Sequence, residues 1–147
     1  MSGEHDSVRG NAQAPELAMR VLVYSDDVNT RAAVRLALGR WLVLELFRVE
    51  IFEVATEPAM IAAIDAGGID IAVLDGEAWP AGGMGVCRQL KDEIYRCPPV
   101  LVLIGRPQDG WLATWSRADA VVSHPLDPIA VADAVASLMR RRLLPAP

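Results

Sequence analysis

The sequence predicts an α/β fold, a doubly wound five-stranded parallel sheet with helices on both faces. Two observations carry this. Five short apolar runs alternate with five helical segments, the pattern of a parallel sheet wound by crossover helices. Two of the runs, around Ile69, Ile71, Val73 and Leu74 and over Val100–Ile104, are apolar on both sides. A strand of that kind belongs in the middle of a sheet covered by helices on both faces.

Residues 1–18 hold Gly, Ser, Asn, Gln and Pro with scattered charges and no periodicity, and read as a flexible tail. The folded domain is expected over 19–143, with 144–147 as a C-terminal tail. Val21–Tyr24 is the first strand and runs straight into Ser25-Asp26-Asp27. Asn29 or Thr30 is the expected cap of the next helix. Val34, Leu38, Trp41 and Leu42 form that helix's inward face. Arg48–Val54 alternates partly, as an edge strand with one wet face does. Thr56 caps a helix carrying Met60, Ile61 and Ile64, which stops at Gly67-Gly68.

The third strand, Ile69–Leu74, ends on Asp75. A loop with Gly76, Pro80, Gly82, Gly83 and Gly85 follows, with an irregular surface path. Val86, Leu90, Ile94 and Cys97 then make a helical core face, with Cys87 bordering it, until Pro98-Pro99 stops the helix. Val100–Ile104 is the fourth strand. Pro107 and Asp109 open a short helix bearing Trp111 and Trp115 at i, i+4. Ala120–Val122 is the fifth strand. Asp127 caps a final helix with Pro128 at its first position. Ile129, Ala132, Val135, Leu138 and Met139 are its inward stripe, and Arg140–Arg142 match the negative end of its dipole.

Composition removes several functions. The chain has 147 residues, 52% of them hydrophobic, enough for one globular domain. A net charge of -5 without a long basic run argues against nucleic-acid binding. No apolar stretch approaches the roughly 18–20 residues of a membrane span, and no secretory leader pattern opens the chain. Cys87 and Cys97, placed on one helix, would stand ~15 Å apart, too far for a disulfide. A reducing, cytoplasmic setting is expected. There is no P-loop and no glycine-rich dinucleotide turn, and neither His5 nor His124 has a zinc spacing.

An acidic site remains. In a flavodoxin-like sheet, ordered 2-1-3-4-5, strands one and three are neighbours, and ligands bind beyond their carboxyl ends. Asp26 and Asp27 then face Asp75 across ~4.8 Å of strand spacing. Two carboxylates ~5 Å apart repel by about 3 kcal/mol at an effective dielectric of 20. A hard cation with oxygen ligands relieves this, Mg²⁺ first among them. The competing reading is independent turn aspartates pointing into solvent. A carboxylate beside Mg²⁺ can serve as nucleophile for a phosphoryl group.

Val21–Asp27, Ile69–Gly85, Val100–Gly105 and Ala118–Pro128 together resemble the receiver domain of bacterial two-component response regulators, over about residues 20–142. The resemblance implies a stand-alone receiver in a phosphorelay, taking a phosphoryl group from a histidine kinase or other phosphodonor. By it, Asp75 is the phosphoacceptor, Asp26 a direct Mg²⁺ ligand, and Glu77 the residue whose backbone carbonyl completes the metal site. Ser25 stands where the family has the first of its paired acids, and Asp27 is the residue left to compensate. Gly105 replaces the family's Thr or Ser, whose hydroxyl binds the phosphoryl group. His124 before Pro125 replaces its Lys, and is a substitute for it when protonated. Val121 replaces the switch aromatic. The alternative is a phosphorylation-independent pseudo-receiver acting as a protein–protein interaction module. Trp111 and Trp115, if exposed, mark a partner surface, and plain packing is the other reading of them. Pairing through the fourth helix, as many receivers do, would make a homodimer. An Asp-x-Asp phosphatase is disfavoured because Glu77 holds the second position, so no enzyme is expected.

Overall fold

A computed structural model describes residues 17–41, 47–79, 82–94 and 96–143. Leu42, the Pro80 turn, residues 1–16 and 144–147, and the side chain of Trp41 lie outside the described residues. The strands are β1 (Leu17–Tyr24), β2 (Phe47–Val54), β3 (Ile71–Asp75), β4 (Val100–Ile104) and β5 (Ala120–Ser123). The helices are α1 (Val28–Trp41), α2 (Glu57–Asp65), α3 (Gly83–Glu93), α4 (Gly110–Trp115) and α5 (Pro128–Leu143). All strand pairs are parallel, in the order β2-β1-β3-β4-β5. This is the sheet the sequence predicts.

The all-apolar strands are central for a physical reason. Every residue of β3 and β4 is buried, and their side chains alternate between two cores. Leu22, Leu74, Val102, Met60, Val86 and Leu90 meet on the face covered by α2 and α3. Val23, Val73, Leu101, Val34, Leu38 and Val135 meet on the face covered by α1 and α5. The partly polar β2 and β5 take the two edges, where one face meets water.

Several local expectations are corrected. The first strand is longer than Val21–Tyr24: β1 runs from Leu17, and Leu17 and Ala18 pair in register with Phe47 and Arg48. The cap of α1 is Asp27, not Asn29 or Thr30: its Oδ1 accepts the Asn29 N–H at 2.8 Å. β3 starts at Ile71; at Asp70 the N–H still donates to the Arg20 carbonyl, but the Arg20 N–H is accepted by the Asp70 side chain rather than by main chain. α3 ends at Glu93, so Cys97 is not helical. Cys87 does not border the core but is wholly inside it. Ile129 is exposed. The inward stripe of α5 runs through Val131, Ala132, Val135, Leu138 and Met139, and Ile129 in the first turn falls round the far side of it. Thr56 does cap α2, accepting from the Ala59 N–H, and Asp127 caps α5 through the Ile129 N–H. Gly67 and Gly68 follow α2 with φ of 80° and 87°, a conformation that favours glycine.

Candidate functional site

The carboxyl ends of β1, β3 and β4 and the turn after β5 open onto one cleft of about 390 Å³. Asp26, Asp27, Thr30, Asp75, Glu77, Gly105 and His124 line it. The register explains the convergence. Tyr24 pairs with Leu74, Asp75 with Leu103, and Ile104 with Ser123. The residues that follow each pair therefore leave the sheet side by side.

Asp75 lies at the centre and is only 3% exposed. Its Oδ2 accepts the Ser25 hydroxyl at 2.7 Å, and its Oδ1 accepts the Glu77 N–H at 2.9 Å. A buried carboxylate needs such donors. Ser25 is equally buried and accepts the Asp27 N–H on the same hydroxyl. Arg31 fixes this corner from α1 by donating to the Ser25 carbonyl at 2.6 Å. The Ala78 N–H closes the turn after β3 on the Asp75 carbonyl at 3.1 Å, and Gly76 lies close against β4: it donates to the Leu103 carbonyl at 2.7 Å, and a Cβ on it would meet that oxygen.

His124 follows β5, with a cis peptide to Pro125. Its Nε2 stands 3.6 Å from Asp75 Oδ1, beyond hydrogen-bond reach, and has no hydrogen-bond partner although buried. Asp26 is exposed at the rim and accepts the Trp79 N–H at 3.1 Å. That bond ties the β1 end to the loop after β3. Asp27 lines the cleft too, but one of its oxygens is engaged in the α1 cap. Tyr24, beneath the site, has its phenol pKa pushed up by burial first, then by Glu57, Asp26 and Asp75. The field here is negative.

Gly105 lies at the end of β4 beside Asp75. A Cβ built on it would overlap the Oε1 and Cδ of Glu77. The glutamate side chain thus occupies the volume that a side chain at position 105 would need.

The donor chemistry suits Mg²⁺, with a reduced ligand set. Asp26 and Asp75 line the cleft with carboxylate oxygens, the hard donors that Mg²⁺ takes. Among the described residues no group of three His, Cys, Asp or Glu side chains is placed to hold a metal ion. Mg²⁺ commonly keeps several waters and takes only one or two carboxylates, so this set fits it.

The sequence brought Asp26, Asp27, Asp75, Glu77 and His124 to one place, and the structure does the same. It did not foresee the Ser25–Asp75 hydrogen bond or the Glu77 side chain over Gly105. Ser25 was readable only as a departure from a pair of acids, and nothing in the order of residues says where a glutamate side chain lies.

A response regulatory protein of Mycobacterium tuberculosis, found in strains CDC 1551 and H37Rv, is 58% identical to this chain over 123 residues. The match covers 84% of this chain and 92% of that protein. The chain belongs to the response regulators. No protein-family model matches it. The fold agrees with solved receivers. The fluoroberyllate-activated receiver domain of DrrB superposes with a TM-score of 0.66 at 22% identity, covering 85% of this chain and all of that one. A response regulator of Chloroflexus aurantiacus gives 0.73 at 17% identity, over 84% and 99% of the two chains. A chemotaxis response regulator of Vibrio cholerae gives 0.67 at 17%, over 82% and 98%.

The receiver exposes Trp111 of α4 at 69%, and Trp115 is about half covered, at 47%. Arg88 of α3 holds Trp115, with its guanidinium 4.9 Å from the ring centroid and a 2.6 Å bond to the Trp115 carbonyl. Val121 on β5 is exposed too. Among the described residues, no helix is long and apolar enough to cross a membrane.

Proposed function

We propose that this receiver accepts a phosphoryl group on Asp75, assisted by Mg²⁺. The observation that supports it best is Asp75 itself: a buried carboxylate at the end of a central strand, opening into a cleft with Asp26, Glu77 and His124. In the reaction an Asp75 oxygen attacks the phosphorus of a phosphohistidine or acyl phosphate donor. The new P–O bond gives an aspartyl phosphate, and the old bond breaks with its electron pair leaving on the donor. Asp26, Asp75 and the Glu77 carbonyl would hold the Mg²⁺, which supplies charge neutralisation to the phosphoryl oxygens. Ser25 and the Glu77 N–H orient the nucleophile through its two oxygens. His124 stands closest to the role of a cation opposite Asp75, 3.6 Å away. The donor is a histidine kinase or a small acyl phosphate. The chain is the acceptor in this transfer and not a turnover enzyme.

The test is incubation with acetyl phosphate and Mg²⁺, read by intact mass. Wild type should gain one phosphoryl group that hydroxylamine removes, and Asp75→Asn should gain none. An unchanged wild-type mass would rule the reading out.

A second reading has its own support. Both Asp75 oxygens already accept hydrogen bonds from the protein itself, and Gly105 offers no hydroxyl. On this reading the chain is a phosphorylation-independent interaction module, and the exposed α4 tryptophans contact its partner or a second copy of the chain. A partner whose affinity survives Asp75→Asn would favour it.

A further inference from the structure

We propose that Glu77 is a built-in anion guard, seated over Gly105, that limits which phosphoryl-class ligands reach Asp75. The inference rests on reading the cleft as the phosphoryl site.

Three observations carry it. First, glycine at position 105 is not demanded by the backbone. Among the described glycines only Gly67 and Gly68 have a positive φ, so any residue's main chain fits at 105. What glycine provides there is room. Second, that room is used: a Cβ on Gly105 would overlap the Glu77 carboxylate. The overlapped atoms are the far end of a flexible side chain, which can swing out. Third, the seat adjoins the nucleophile. Asp75 pairs with Leu103, so Gly105 leaves the neighbouring strand beside it, and all three residues line one cleft.

An anion bound to Asp75 would therefore meet a carboxylate on the β4 side of the cleft. Like charges at close range oppose binding, the more so where water is partly excluded. Glu77 must leave its seat, or be neutralised by a cation, before a tetrahedral anion settles. Since Glu77 is solvent-exposed, the guard is a moderate barrier that a cation-bound ligand can pass.

The experiment compares wild type with Glu77→Ala and Gly105→Ala. The first removes the carboxylate. The second keeps it but fills its seat with a methyl group, adding no hydroxyl. Each is titrated with fluoroberyllate and Mg²⁺ by calorimetry. Both variants should bind roughly tenfold tighter than wild type, the size of relieving one like-charge contact near the surface. Equal affinity in all three overturns the guard, and so does absence of binding in all three, because an opened cleft should admit the anion. Tightening by Glu77→Ala alone overturns the seat over Gly105. The same proteins treated with acetyl phosphate keep the two ideas apart. If fluoroberyllate follows the predicted order while Asp75 gains no phosphoryl group, phosphotransfer falls and the guard stands.

Discussion

The Ser25 hydroxyl donates to Asp75 Oδ2 across 2.7 Å, between two residues that are both buried. A neutral donor at the end of β1 thus holds one oxygen of the nucleophile. Ser25→Ala leaves a buried carboxylate oxygen unpaired. Urea unfolding should show a loss of about 1–3 kcal/mol. Ser25→Asp should do the reverse of helping the metal-free protein: it adds a like charge beside Asp75, and so lowers stability without Mg²⁺ while tightening Mg²⁺ binding.

Asp26 and Asp27 should separate cleanly. Asp27 Oδ1 caps α1, so Asp27→Ala should cost about 1 kcal/mol in urea melts and change Mg²⁺ affinity little. Asp26→Asn should leave stability nearly intact and weaken Mg²⁺ binding strongly. Tryptophan fluorescence can follow the titration, because the Trp79 N–H rests on Asp26 and the Trp79 side chain is 75% exposed at the rim.

His124→Lys places a permanent ammonium opposite Asp75 Oδ1. One added charge-assisted contact is worth about 1.5–3 kcal/mol, so the extent or lifetime of phosphorylation should rise roughly tenfold to hundredfold. Decay of the phosphorylated mass after the donor is removed measures it.

Cys87 gives a pH prediction away from the site. Burial pushes its thiol up to about 11, with a smaller opposing effect from the Ser116 hydrogen bond. The half-buried Cys97 moves in the same direction, for the same first cause. Both thiols are free. At pH 8 the folded protein should resist iodoacetamide at Cys87 and react fully once unfolded. The unfolded thiol loses its proton first as pH rises. The stabilising contribution is therefore complete below about pH 9 and is lost between about 9 and 11. Cys87→Ala should flatten that part of a stability–pH curve.

The parts of this molecule that were legible in the sequence are those governed by burial. Val100–Ile104 has no polar face, so it had to be central, and β4 has those same limits. Asp75 closes an apolar run, so it had to sit at a strand end. Positions set by competition between neighbours were not legible. Asp27 and Asn29 both suit a cap, and a shift of two residues in where the helix begins decides between them. Ile129 is as apolar as Val131, but it lies round the first turn from the core. The Ser25–Asp75 bond and the Glu77 seat join residues from different strands and loops, and local pattern carries no record of such pairs.

Reductive trapping tests whether Asp75 is the residue that carries the phosphoryl group. Borohydride converts an aspartyl phosphate to homoserine. After treatment with acetyl phosphate and Mg²⁺, peptide mass mapping should find homoserine at position 75 and nowhere else in the chain. Homoserine at Asp26 or Asp27 instead, or unmodified aspartate at 75 under conditions that phosphorylate another receiver, would rule Asp75 out as the phosphoacceptor.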